Sequence, residues 1–237
     1  MGGTSDSAIT YKYKFKFDNG SEKEFDIKLD SKTLDLIEPP KETYPDWTKL
    51  SCSKCPNCPL EEQNHKFCPA AVALIDLVDF FKTLISYEEL DVSVDTGGRK
   101  YAKRVPLQKG LSSLMGIYMA TCGCPIMKKL KPMVRHHLPF ATSDETKYRV
   151  ISMYLLAQYF LHKQGKSPDW ELKNLVKIYE EVIVVNKNFF KRLSGIIVKD
   201  AGLNALVNLD SFAQFISFSI DQNALNEIEL LFKAYLK

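Results

Sequence analysis

Hydrophobic and polar positions alternate near the start of the chain. Tyr11, Tyr13, Phe15 and Phe17 are separated by Lys12, Lys14 and Lys16, a period of two that predicts a strand with one apolar and one cationic face. Asp18-Asn19-Gly20-Ser21 supplies turn chemistry, and Phe25, Ile27 and Leu29 continue the alternation on a return strand. A short third strand is predicted near Leu34–Ile37, ended by Pro39-Pro40. A second hairpin follows further on. Leu90, Val92 and Val94 alternate, Thr96-Gly97-Gly98 turns, and Lys100–Val105 returns. Between the hairpins Pro69 opens an apolar segment, Ala70–Ile85, that reads as a helix on the buried face of an antiparallel sheet.

From Leu107 onward the pattern is helical. One helix runs to about Ala120 and breaks at Thr121-Cys122-Gly123-Cys124-Pro125, and another runs from Pro125 to about His136. Thr142 and Glu145 form a capping-box pattern before a long helix to Lys163, which Gly165 stops. Ser167-Pro168 predicts the next helix start, and three or four more helices are expected to fill Asn188–Lys237. The fold class is therefore α+β, mostly α: N-terminal antiparallel β-hairpins packed on a helix, followed by a C-terminal helical bundle. The expected division is an α+β region with a Cys-rich loop over residues 1–105 and a helical bundle over 106–237, with a soft boundary near Val105.

Composition narrows the class. A chain of 237 residues, 45% hydrophobic and 26% charged, can bury a sizeable core and is not globally disordered. No run reaches the length of a membrane-spanning helix. Met1–Ala8 lacks the apolar stretch of a signal peptide, and Met1-Gly2-Gly3 is followed by Asp6 where a myristoylation motif wants Ser or Thr. The expected compartment is a reducing cytoplasm, where six cysteines read as metal ligands or reactive thiols and not as disulfides.

The cysteines carry the strongest chemical signal. They follow Cys52-x2-Cys55-x2-Cys58-x9-Cys68, with Cys122-x-Cys124 later. Cys-x2-Cys pairs let two sulfurs face one tetrahedral ion from a tight turn. The opening triplet also resembles an iron–sulfur motif, but the gap of nine to Cys68 departs from ferredoxin spacing. Four cysteines precede proline: Cys55, Cys58, Cys68 and Cys124. Proline holds the preceding residue extended, and at Cys68 and Cys124 it stands at a predicted helix start, where the dipole favours thiolate. The expected site is thus a zinc centre closed by Cys55, Cys58, Cys68 and Cys124, with Cys52 and His65 as substitute ligands and an iron–sulfur cluster as the alternative. Four thiolates close the shell, which points to a structural ion.

A second feature is electrostatic. Thr96–Ser143 contains nine Lys and Arg and no Asp or Glu. Lys128, Lys129, Lys131 and Arg135 gather around the second Cys-Pro turn and would form a basic face for an acidic protein or nucleic acid. The plainer expectation is a solvated face balanced by acids from elsewhere, such as Asp91, Asp95 or Glu145. Tyr101 and Tyr118 alone lie between Arg99 and His137, too few aromatics for a single-strand-binding groove.

Catalytic readings are weaker. Cys124 with His136 or His137 would make a nucleophile and base, but a straight helix would set them about 18–20 Å apart. Glu145 with Asp144, Tyr148, Arg149 and His137 could line a pocket, yet the capping box explains Glu145 without catalysis. Asn186, Arg192, Asp200, Asn204 and Asp210 read as buried network members or caps.

Cys55-Pro56-Asn57-Cys58-Pro59-Leu60, Cys68-Pro69-Ala70, Gly123-Cys124-Pro125, Leu130-Lys131-Pro132-Met133 and His137-Leu138-Pro139-Phe140-Ala141-Thr142 together resemble a family of uncharacterised bacterial proteins, a domain of unknown function. The resemblance spans most of the chain. It implies a bacterial origin and no particular activity. The family pattern does not include Cys52 or Cys122, which favours the four Cys-Pro positions. The function expected is a zinc-stabilised binding or scaffold protein. The alternatives are a thiol- or iron–sulfur-dependent redox protein or enzyme using Cys124, and nucleic-acid binding through residues 96–143.

Overall fold

The computed structural model describes residues 8–221 and 224–236. The readings of Met1–Ser7 lie outside them. Both hairpins form where the alternation predicts: β1 (Ala8–Lys16) with β2 (Glu22–Asp30), and β3 (Glu89–Asp95) with β4 (Lys100–Pro106). They join through their first strands into one antiparallel sheet of order β2-β1-β3-β4. Register places Tyr13 between Phe25 and Val94, and Phe15 opposite Val92, so the apolar side chains share one face. The opposite face is charged, with Lys14 ion-paired to Glu22 and Arg104 held bidentate by Asp18. The expected third strand does not form. Leu36 makes an isolated bridge to Leu29, and Pro39-Pro40 removes the amides needed to extend it.

Two helical layers cover the apolar face. The segment from Pro69 is not one helix but two short ones, α1 (Pro69–Ala73) and α2 (Ile75–Phe81), separated at Leu74. The Leu74 amide bonds back to Ala71 and Val72 in a tight 3-10-like closure. Phe81 of α2 packs on Phe15 and Phe25, with ring centroids 5.2 and 5.6 Å away. α3 (Leu107–Thr121) is buried along most of its length. Gly110 is what lets it approach the sheet: a Cβ there would sit 2.9 Å from a Val92 methyl and 3.0 Å from the Phe15 ring. On its other side α3 packs on α7 (Ala201–Asp221), which lies along α6 (Lys173–Ser194). Buried apolar side chains run continuously from the sheet through α3 into α6 and α7.

The remaining helices follow local chemistry. The expected helix from Pro125 is a 3-10 turn, Met127–Leu130, followed by the short α4 (Lys131–Arg135). α5 (Ser143–Lys163) begins with the predicted capping box: Thr142 Oγ1 accepts from the Glu145 amide and Glu145 accepts from the Thr142 amide. It ends before Gly165, which takes φ 72°. The start of α6 differs from the Ser167-Pro168 expectation. Asp169, fixed by Tyr154 and Gln158 of α5, accepts the Lys173 and Asn174 amides at 3.2 and 2.6 Å. The cap therefore moves downstream, and Leu172 enters the helix from a left-handed conformation, φ 59°. A short α8 (Ala224–Glu229) and a 3-10 turn follow. Among the described residues no helix is long and apolar enough to cross a membrane.

Candidate metal centre

Three separate stretches bring the cysteines together. Cys55-Pro56-Asn57-Cys58 folds as a turn closed by the Cys58 amide on the Cys55 carbonyl, 3.0 Å. Cys68 is the extended N-cap residue of α1, with Pro69 behind it. Its strand-like approach is fixed by an antiparallel bridge, Lys49 to Phe67, and by the Cys68 amide on the Thr48 carbonyl at 2.8 Å. Cys124 follows Gly123, whose φ of 90° turns the chain after α3.

Cys55, Cys58, Cys68 and Cys124 line one cavity of about 20 Å³, walled by Leu60, Ile126, Val185, Phe189 and Arg192 among others. That volume is of the order needed for a single water-sized occupant. The four positions are the four that precede proline. Neither Cys52, Cys122 nor His65 lines the cavity. All six cysteines are free thiols. Among the described residues no three His, Cys, Asp or Glu side chains stand in a ready-made metal-binding arrangement.

The electrostatics of the cavity reflect this crowding. Burial pushes the Cys55 thiol up to about 12, with smaller contributions from Cys68, Cys124 and Cys58 and an opposing one from Arg192. Burial also raises Cys124, but the amides of Met127 and Ile126 work the other way. Those N–H groups, two and three residues past the cysteine, would stabilise a thiolate there. Cys122 is raised by burial first and then by Cys124, and its thiol donates to the Met119 carbonyl at 3.2 Å.

Sequence reasoning grouped Arg192 among buried network members or caps without linking it to the cysteines. Arg192, 4% exposed, lines the cavity from α6, and its guanidinium reaches the Cys-rich loop. It donates to the carbonyls of Trp47 at 2.6 Å and Lys49 at 2.7 Å, and more loosely to Ser53. Asn57 adds a second tie, to the Glu181 carbonyl at 3.0 Å. A signal for Arg192 was present: it continues the apolar stripe Val182, Val185, Phe189 of α6, where an arginine is out of place unless it is paired.

The basic segment is dispersed, and three of its nine cations are ion-paired among the described residues. Lys129 pairs with Glu181 at 2.7 Å, and Lys131 with Asp35 and the Thr33 carbonyl. Arg104 is held by Asp18, with Asp91 further off. Lys128 and Arg135 carry no ion pair among the described residues. His137 faces the sheet and α3, not the cavity. His137 Nε2 lies 2.5 Å from the Tyr13 hydroxyl, which is itself 2.8 Å from Ser113 Oγ. Burial, with Arg149 nearby, drops the His137 pKa to about 3. Arg149 donates to the Met133 and His136 carbonyls, and Glu145 is occupied by its cap. Asp200 and Asn204 fasten Ser86.

A family model described as a domain of unknown function (DUF6901) matches residues 9–233. No curated protein matches the chain, and no solved structure does.

Proposed function

We propose that this chain, which belongs to the DUF6901 family of domains of unknown function, binds one zinc ion through Cys55, Cys58, Cys68 and Cys124 and works as a zinc-stabilised binding or scaffold protein. The observation that carries the reading is that the four proline-preceding thiols, from three distant stretches of chain, line one small cavity. Zinc takes four thiolates at about 2.3 Å in a tetrahedron, so binding would draw the sulfurs inward onto the ion. A tetrathiolate zinc carries two negative charges. Arg192 and Lys54, both lining the cavity, would offset them, and the Ile126 and Met127 amides would hold the Cys124 sulfur. With no histidine or carboxylate on the cavity, no ligand position is left open for a substrate, which favours a structural ion over a catalytic one. The ion would then tie the Cys-rich loop, the start of α1 and the turn after α3 into one junction.

The basic contact face is the weaker half of the reading. Its free members reduce to Lys128 and Arg135, because Lys129 and Lys131 are neutralised.

Elemental analysis of protein purified without added metal tests the centre. The expected result is about one zinc per chain, lost together with soluble protein in Cys58→Ser or Cys68→Ser, and retained in Cys52→Ser and Cys122→Ser. Iron with visible absorbance would replace zinc by a cluster. Neither metal in the wild-type chain would overturn the proposal.

A further inference from the structure

The two outer strands of the sheet are finished differently. Beside the end of β2 the chain runs back along the edge. There the Ile37 amide donates to the Lys28 carbonyl at 2.8 Å and the Asp30 amide to the Asp35 carbonyl at 2.9 Å. Beside β4 no described segment does this. The Thr96 amide on the Arg99 carbonyl, 2.9 Å, and the Leu107 amide on the Glu88 carbonyl, 2.8 Å, bracket the β3–β4 ladder. Antiparallel pairs alternate, so Val94–Tyr101, Val92–Lys103 and Leu90–Val105 exchange the ladder bonds. Lys100, Ala102 and Arg104 therefore direct their backbone N–H and C=O groups outward, and no group among the described residues bonds to them. All three residues are exposed. A bare edge of this kind is a template for another strand.

The charge beside the edge selects the strand. Arg99, Lys100 and Lys103 are exposed and make no ion pair among the described residues. Arg104 is already answered by Asp18. Asp95, across the ladder from Lys100, accepts from the Gly97 amide. Glu145, within electrostatic reach of Lys103, is held by its cap. A second copy laid antiparallel on β4 about Ala102 would set Lys100 against Arg104. The adjacent registers would set Lys103 against itself or against Arg99, so like charges oppose in each. We propose that the outer edge of β4 takes up an extended acidic segment of another protein as a fifth strand, antiparallel like every other pair in the sheet. The incoming backbone closes on Lys100, Ala102 and Arg104. Its acids stand opposite Arg99, Lys100 and Lys103, and its apolar residues opposite Tyr101 and Val105. None of these residues lines the cysteine cavity, and neither the ion nor Lys128 and Arg135 is needed.

The probe is the acetylated peptide Val-Thr-Glu-Thr-Val-Glu-Glu, which sets those residue types opposite Val105 through Arg99. Titrated into the full isotope-labelled chain, it should give saturable amide shifts at Lys100, Ala102 and Arg104. Dissociation on the order of 100 µM is expected for so small a contact. N-methylation of the two threonines, whose amides face β4, should weaken binding roughly tenfold. Methylation of the first glutamate and second valine, whose amides face away, should leave it intact. Ala102→Pro removes one outward donor and no ladder bond, which an edge strand tolerates. It should abolish binding with an unchanged circular dichroism spectrum, and the methylated peptides decide the same point on the unaltered chain. Lys100→Glu with Lys103→Glu should reject this peptide and bind its counterpart with lysine in place of glutamate. Absence of shifts at about 1 mM peptide overturns the proposal. Equal binding by both methylated peptides leaves charge attraction alone and overturns it too. Self-association that is lost in Ala102→Pro would seat a second copy on the edge and overturn the acidic partner.

Discussion

Between the sheet and α3 the core is made of rings and branched aliphatics in direct contact. Tyr13 and Phe15 are fully buried, and Phe15 touches Phe25 and Phe81. Around the cysteines regular structure is sparse. Short turns, one isolated bridge, an arginine on two close carbonyls and an asparagine on a third link the Cys-rich loop to α6. The first region is held by burial, which is spread over many side chains and tolerant of any one loss. The second rests on a few directional contacts, and each removal leaves a buried partner without a bond. A proposed ion belongs to the second kind of region, since a loop with few apolar anchors has most to gain from a cross-link.

The contrast can be broken most sharply at Arg192. Arg192→Met keeps the length and removes the donors, leaving the Trp47 and Lys49 carbonyls bare. The expected loss is about 3–5 kcal/mol of unfolding free energy by denaturant titration. If the proposed zinc is present, its content should fall as well. A cost below about 1 kcal/mol would mean the loop does not depend on this pin, and the two regions would be less different than the geometry says.

A second test sits inside the first region, at the Tyr13–His137 contact. His137 is held near pKa 3 when folded against an ordinary value of 6.5. The unfolded chain therefore binds the extra proton first. Stability is complete above pH 6.5 and is lost as pH falls from 6.5 toward 3. The loss attributable to this ring, which keeps some solvent contact, is on the order of 3 kcal/mol. His137→Gln preserves an acceptor for Tyr13 and should flatten that part of the acid-denaturation profile. Identical profiles for the two proteins would remove His137 from the account.

The smallest expected effect probes the apolar side. Gly110→Ala drives a methyl against Val92 and Phe15 at 2.9 and 3.0 Å. Part of the overpacking penalty is returned by the better helix propensity of alanine, and the net loss should be about 1–2 kcal/mol. Unlike the Arg192 change, it should leave any bound metal in place.

Both hairpins were legible because strand alternation and turn residues are local, and so was the capping box of α5. The four cysteines that line one cavity are the four that proline marks in the sequence, with Cys52 and Cys122 left out of both sets. What escaped was set by distant contacts. The break at Leu74 has no proline or glycine to announce it. The start of α6 depends on Asp169 being held by Tyr154 and Gln158 from another helix, which no local spacing reveals. Arg192 acts on carbonyls far away in the chain, and carbonyls have no side-chain identity to read. Lys129 and Lys131 looked like a free cationic face because Glu181 and Asp35, which answer them, lie in other stretches.

The strand order has a kinetic implication. Each hairpin closes on itself within microseconds once synthesised, yet β1 and β3, which zip the two together from Lys12–Asp95 to Lys16–Asp91, bracket the entire Cys-rich excursion. The sheet cannot become whole until that long loop has been paid out and looped back. Until then the ribosome would be presenting an aromatic half-sheet with an open edge, the state in which this chain is most exposed to sticking to its neighbours.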